Sequence, residues 1–209
     1  HGQEYYISQL RKEHVDLIKK TESESSLLEL VNIWLERMPF FDVEESWKDF
    51  RASSKEPASL PVYWQEYLHQ YQNSLAEAEK NNIAAFDEVF INRAADDQRT
   101  LSPKASRAAL FIMLYRGYPL LQQPFQLLNS LLEIDEQLSA WRHRHINMVA
   151  RMIGTRIGTG GSSGKDYLRA AADKHYIFKE LAVLTSFLIE RSKLPPLPQA
   201  IERKLGFMS

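Results

Sequence analysis

The sequence predicts an all-α protein, a bundle of helices without a sheet. Three observations carry that prediction. Apolar residues recur at i, i+3, i+4 and i+7 in nearly every long segment, the mark of helices with one buried face. Ser and Pro stand where such segments start and stop, and no run shows the period-two alternation of a half-buried strand. The 209 residues are 44% hydrophobic and 25% charged, and 8 Gly and 9 Pro are too few for a disordered or collagen-like chain.

A first helix is expected over about Tyr5 to Lys19. A second begins near Ser23–Ser26 and presents Leu27, Leu28, Leu30, Val31, Trp34 and Leu35 on one apolar face, until Pro39 stops it. Residues 53–61, SSKEPASLP, read as a polar, Pro-containing link. A third helix is expected from Pro61, a favoured first helical residue, to about Lys80. Tyr63, Trp64, Tyr67, Leu68 and Tyr71 make its face, and with Trp34 these read as core or subunit-interface aromatics. Ser102 and Pro103 open another helix, to about Arg116, around the run AALFIML. Pro119 and Pro124 bracket a turn, and the longest helix follows from about Pro124 to Gly154. Tyr167 to Ile189 reads as helical with a break near Asp173–His175, ended by Pro195, Pro196 and Pro198. A short helix near Pro198–Lys204 closes the chain, and no internal repeat is visible.

Composition excludes several function classes. The net charge of −1 leaves no basic excess to neutralise phosphates, so no nucleic-acid partner is expected. The absence of cysteine removes disulfides, zinc-thiolate sites, thiolate-ligated heme and covalently attached heme together. It fits a reducing compartment, and a cytoplasmic location is expected. No stretch approaches the roughly 18 apolar residues of a membrane span. The longest nearly apolar piece, Ala182 to Ile189, carries Thr185 and Ser186. The chain opens on His1, Gly2 and Gln3, with no initiator Met and no signal-peptide pattern, and reads as a segment of something longer or as a processed chain.

The longest helix carries the chemistry. Its apolar positions are Leu127, Leu131, Ile134, Leu138, Trp141, Met148 and Met152, and the position skipped between Trp141 and Met148 holds His145. An imidazole therefore sits in register on an apolar stripe that is expected to be buried, between Trp141 one turn before and Met148 one turn after. Two readings follow. A buried imidazole needs partners for its ring nitrogens, and a core carbonyl or hydroxyl would satisfy them. Alternatively it ligates heme iron, for which neutral imidazole is the common protein ligand and a Trp/Met/Met wall suits a planar macrocycle. His143 is two residues away and faces elsewhere, so there is no i, i+4 histidine pair, and no carboxylate lies within a turn to complete a facial triad. Arg142, Arg144, Arg151 and Arg156 line the polar side, either solvated or placed to pair heme propionates.

Directly after this helix come Gly158, Thr159, Gly160, Gly161, Ser162, Ser163 and Gly164. Such a run lets backbone approach a ligand closely and offers a row of N–H groups and three hydroxyls to an anion or zwitterion; a flexible linker is the plain alternative. A phosphate loop of the Gly-x-x-x-x-Gly-Lys-Ser/Thr type fails here. Thr159 stands where its first Gly belongs, Asp166 follows Lys165, and no strand precedes it.

The joined segment from Trp141 to Gly164, WRHRHINMVARMIGTRIGTGGSSG, resembles the signature of the tryptophan 2,3-dioxygenases, nearest to the animal enzymes. LLELVNIWLERMP at 27–39 and PFQLLNSLLEIDEQLSAWR at 124–142 are similar to the family too, so the resemblance covers most of positions 20–206. It implies an enzyme that cleaves the indole C2–C3 bond of L-tryptophan with O2 to N-formyl-L-kynurenine, the first step of tryptophan catabolism by the kynurenine pathway. The cofactor it implies is a ferrous heme b. It implies His145 as the proximal iron ligand, Trp141 as the neighbour that steadies it, and Met148, Met152 and Gly158 as further cofactor contacts. Thr159 matches the threonine that contacts the substrate ammonium and carboxylate, within a loop of Gly160, Gly161, Ser162, Ser163 and Gly164 that closes over substrate.

In the family, the distal His, the Phe beside the indole and the Arg that holds the substrate carboxylate come from an N-terminal half absent from this chain. No catalytic residue is therefore expected here. Residues 1–209 are expected to be the C-terminal part of one all-helical heme dioxygenase domain, with a companion N-terminal half and a homotetrameric assembly. Two alternatives are a related heme-dependent aromatic oxygenase with another indole substrate and a non-catalytic heme-binding helical protein. A third is a helical interaction domain with His145 as core.

Overall fold

The computed structural model describes residues 5, 7–38, 62–91, 100–153 and 176–206. In chain order its helices are α1 (Lys12–Ser23), α2 (Leu27–Glu36), α3 (Val62–Ser74), α4 (Asn82–Phe90), α5 (Pro103–Leu114), α6 (Pro119–Ile153), α7 (Lys179–Leu184) and α8 (Gln199–Lys204). Single 3-10 turns lie at Glu77–Glu79, Thr185–Phe187 and Arg191–Lys193. No strand occurs among the described residues, so the all-α expectation holds. No helix among them is long and apolar enough to cross a membrane.

Local chemistry sets the helix ends. Ser26 caps α2: its Oγ accepts the Glu29 N–H at 3.2 Å, and the Glu29 carboxylate accepts the Ser26 N–H at 2.7 Å, a reciprocal capping box. Ser102 caps α5, accepting the Ala105 N–H at 3.1 Å, with Pro103 in the first turn. That cap is fastened to α2, because Ser102 Oγ donates to Glu36 Oε1 at 2.6 Å and its N–H donates to Asn32 Oδ1 at 2.8 Å. Arg107 of α5 donates to the carbonyl of Phe90 at 2.6 Å, placing a cation on the C-terminal end of α4. After α8 the chain turns at Gly206, whose φ of +104° favours glycine. The adjacent Leu205 carbonyl accepts the Leu120 N–H at 3.2 Å, so the end of the chain serves the open N-terminus of α6.

Helix α5 is central: α2, α4, α6 and α7 all pack on it, and its residues from Ala108 to Met113 are buried. Against this centre α3 presents Tyr63, Trp64, Tyr67 and Tyr71, all buried as expected, and Trp34 packs at the edge of the core. Their rings meet Phe86 and Phe90 of α4 and Phe187; the Phe86 and Phe90 centroids are 4.5 Å apart. The buried tyrosine hydroxyls find acceptors, as the cost of burying a bare O–H requires. Tyr63 donates to Tyr115 at 3.1 Å and Tyr115 donates to the Pro195 carbonyl at 2.8 Å. Tyr67 and Tyr71 donate to the carbonyls of Phe187 and Ser186. Burial pushes the Tyr63, Tyr67 and Tyr115 hydroxyls well above their usual range, with neighbouring phenols raising Tyr63 and Tyr67 further, so these groups stay protonated donors.

The observed elements differ from expectation in six places. The expected Tyr5–Lys19 helix is interrupted: Tyr5, Ile7 and Ser8 are helical, the chain turns at Gln9 and Leu10, where Leu10 N–H bonds the Ile7 carbonyl, and α1 then runs over Lys12–Ser23. It buries no side chain, so intrinsic propensity rather than a core face sets its limits. Helix α2 buries Leu28, Val31 and Leu35 but exposes Leu27 and Leu30. Helix α3 ends at Ser74, where Ser74 Oγ bonds back to the Tyr71 carbonyl at 2.6 Å; Ala76 N–H then donates to the Glu79 carboxylate and starts a 3-10 turn. Pro119, not Pro124, begins the long helix, and Pro124 lies inside it, leaving the Leu120 carbonyl without its helical donor. Of the expected Tyr167–Ile189 helix, the described part from Tyr176 onward holds α7 and a 3-10 turn, after which Leu188 is extended, well before Pro195. Helix α4 was not foreseen, although Phe86, Val89 and Phe90 at i, i+3, i+4 are all buried. The 53–61 link, Pro39, Pro61 and the stretch from Tyr167 to His175 lie outside the described residues.

Candidate functional site

Helix α6 has two apolar stripes. Leu121, Leu128, Leu131 and Ile146 are buried and share a face with the buried Asp135. The stripe singled out from sequence is turned from that face by about a quarter turn, at roughly 100° per residue. Of its members only Leu131 is buried and Leu138 is half-buried. Trp141 is 60% exposed, Met148 52% and Met152 78%, and Leu127, Ile134 and His145 are exposed as well. This corrects the expectation of a buried stripe: the described residues cover only the Leu121 to Ile146 face, against α5 and α7. A long exposed apolar stripe on one helix marks a surface for a ligand or another chain.

His145 sits within this stripe. Its ring lies against Trp141, one turn earlier, with centroids 5.4 Å apart and planes 17° from parallel. No hydrogen bond engages its ring nitrogens among the described residues. A core histidine would be buried, and His145 is exposed, so the core reading has no support. His143 faces elsewhere as expected, with Nδ1 2.9 Å from the Ser139 carbonyl. Alongside the stripe, Arg144, Asn147, Met148, Arg151 and Met152 line a hollow of about 380 Å³.

A larger hollow of about 600 Å³, lined by residues such as Trp34, Met38, Pro124 and Leu127, opens near the other end of α6. At 1.5 Å per residue Leu127 is about 27 Å along the axis from His145, so this hollow is not part of the imidazole site. Among the described residues no three His, Cys, Asp or Glu side chains gather to hold a metal ion. His145 therefore offers one nitrogen donor on a wide apolar wall, which suits a metal whose remaining ligands come with it. Gly158, Thr159, Gly160, Gly161, Ser162, Ser163 and Gly164, with Arg156, lie outside the described residues.

A family model described as tryptophan 2,3-dioxygenase matches residues 1–188, a span that includes all of α6. The chain belongs to the tryptophan 2,3-dioxygenase family. Tryptophan 2,3-dioxygenase of Bdellovibrio bacteriovorus is 41% identical over 196 residues, 88% of this chain and 55% of the relative. That of Dictyostelium discoideum is 39% identical over 217 residues, 98% of this chain and 54% of the relative. That of Xenopus tropicalis is 36% identical over 215 residues, 98% of this chain and 53% of the relative. Identity thus does not rise toward the vertebrate tryptophan 2,3-dioxygenases, and the chain spans about half the length of the curated relatives it matches.

One feature of this dioxygenase-family chain escaped the sequence reading. Asp135, 4% exposed, accepts the Ile177 N–H through Oδ1 at 3.0 Å and the Phe178 N–H through Oδ2 at 2.9 Å. The available signal was phase: 121, 128 and 135 are seven apart, so an acid stood on a leucine face.

Proposed function

We propose that this chain supplies the heme-ligating side of a tryptophan 2,3-dioxygenase, with His145 as the proximal ligand. The observation that carries the reading is the exposed imidazole of His145, without a hydrogen bond among the described residues and stacked on Trp141 in an apolar stripe, in a chain of this family. A bound ferrous heme b supplies the oxygen and redox chemistry of indole cleavage. This chain's residues do the rest of their share by position. Trp141 restricts rotation of the imidazole, the kind of outer contact that orients a ligand histidine. Met148 and Met152 give an apolar wall that keeps water from the cofactor face, and Gly158 lets backbone come close. Arg144 and Arg151 flank the hollow beside them and suit carboxylate groups at a macrocycle edge.

Thr159, with Gly160 to Gly164, holds the ammonium and carboxylate of L-tryptophan and so orients indole C2 and C3 toward the metal. The distal groups come from a companion N-terminal half, residues 1–209 being the C-terminal part of one helical domain. The working enzyme is a homotetramer with a cytoplasmic location. The test is to supply heme and O2 to the protein with its companion half and follow the absorbance of N-formyl-L-kynurenine. Product that depends on L-tryptophan is expected. Heme uptake without it supports a related aromatic oxygenase or a non-catalytic heme protein, and no heme uptake supports an interaction domain.

A further inference from the structure

We infer that Asp135 is a positioning residue: it fastens the chain beyond the Gly/Ser run to the helix that bears His145, and this anchor sets how tightly the amino-acid end of the substrate is held. The second half of that statement rests on the function proposed above. The anchor itself rests on geometry. Both carboxylate oxygens of Asp135 are used, one on the Ile177 N–H at 3.0 Å and one on the Phe178 N–H at 2.9 Å. These N–H groups open α7, where the helix itself provides no acceptor. One turn further along α6, Ser139 Oγ lies 3.2 Å from the Tyr176 hydroxyl. Three consecutive residues, Tyr176 to Phe178, are therefore tied to two consecutive turns of α6.

The chain leaves α6 at Ile153, about 27 Å along the axis from Asp135 at 1.5 Å per residue. The described chain thus leaves α6 at Ile153 and is tied back to it from Tyr176 onward, and His145 lies between these two points on the helix. A leucine at 135 would pack α6 against the core at least as well as an acid. A buried carboxylate carries a desolvation cost that only well-placed donors offset. What it adds is direction, since only one register of residues 177 and 178 satisfies both oxygens. Phe178, Leu181 and Leu184 are buried behind it, so the anchored end is held by packing as well.

The experiment compares Asp135→Ala and Asp135→Asn with the parent in the heme-loaded protein. It reads amide exchange at Ile177 and Phe178, the Soret band, and the KM and kcat for L-tryptophan. Faster exchange at both amides is expected, with the Soret band and kcat nearly kept and KM raised on the order of tenfold in Asp135→Ala. Asp135→Asn keeps one acceptor oxygen and should fall between. If Asp135→Ala does not fold, Ser139→Ala removes only the second tie and should raise KM in the same direction, by less. Unchanged exchange at Ile177 and Phe178 overturns the anchor. Faster exchange with unchanged KM, or kcat and Soret band lost together with KM unchanged, overturns its role toward substrate. A parent protein that takes up heme but never turns over tryptophan overturns the proposed function and the substrate clause, while the exchange data still decide the anchor.

Discussion

Trp141 and His145 lie ring on ring, one helical turn apart, with centroids 5.4 Å apart and planes 17° from parallel. Both are exposed in this chain, so the stack forms without enclosure by a core. It holds the imidazole ready on a surface that otherwise offers apolar side chains. Trp141→Ala should therefore weaken heme retention by about 10- to 100-fold, the effect of removing an outer contact to a ligand histidine. Trp141→Phe should keep most of it. The rate of heme transfer to an excess scavenger measures this, and equal rates for the parent and Trp141→Ala contradict the orienting role.

Thr159→Ala should act on substrate and not on cofactor. The tryptophan concentration for half-maximal rate is expected to rise by roughly tenfold or more, on the scale of one charge-assisted hydrogen bond lost. The Soret band should stay nearly intact. Loss of heme in this variant, or an unchanged tryptophan requirement, contradicts the assignment of Thr159 to substrate.

The buried phenols predict an alkaline limit to stability. Tyr63, Tyr67 and Tyr115 titrate above their usual range in the folded chain because burial disfavours the phenolate, so the unfolded chain ionises first. Their contribution is fully present below about pH 10, the unfolded value, and is lost as pH rises from there toward the folded values. Melting temperature should hold level up to that point and then fall. Tyr63→Phe should flatten the fall. A melting temperature that stays constant well above pH 10, or an equally steep fall in Tyr63→Phe, contradicts this account.

Two substitutions of different size test the packing. Phe86 is fully buried between Tyr67, Tyr71, Phe90 and Phe187, and Phe86→Ala should cost about 3–5 kcal/mol of unfolding free energy. Ser26→Ala removes one half of the α2 capping box and should cost about 1 kcal/mol. Denaturant unfolding monitored by circular dichroism gives both values, and a reversed order contradicts the placement of the core.

Much of the fold was legible because its signals are local. Ser102-Pro103 before AALFIML marked α5 to within two residues, and the Ser23–Ser26 stretch ahead of an apolar face marked the start of α2. Helix α4 was missed because it is only nine residues long, follows the polar run AEAEKN, and its buried set, Phe86, Val89 and Phe90, spans barely one turn. The break at Ser74 depends on a side chain bonding back to the Tyr71 carbonyl, which composition does not reveal. The His145 stripe was legible as a pattern but not as buried or exposed. Periodicity reports that a face is apolar, whereas what covers that face depends on the rest of the assembly. Asp135 was passed over because its partners, Ile177 and Phe178, are more than 40 positions away.

The most direct test is the visible spectrum of the heme-reconstituted protein, together with the proposed companion half, as the parent and as His145→Ala. The account predicts a stable Soret band in the parent, its loss in His145→Ala, and its partial return when free imidazole is added to the variant. Full heme retention in His145→Ala, with the parent's ferrous spectrum and no response to imidazole, would contradict the assignment of His145 as the iron ligand.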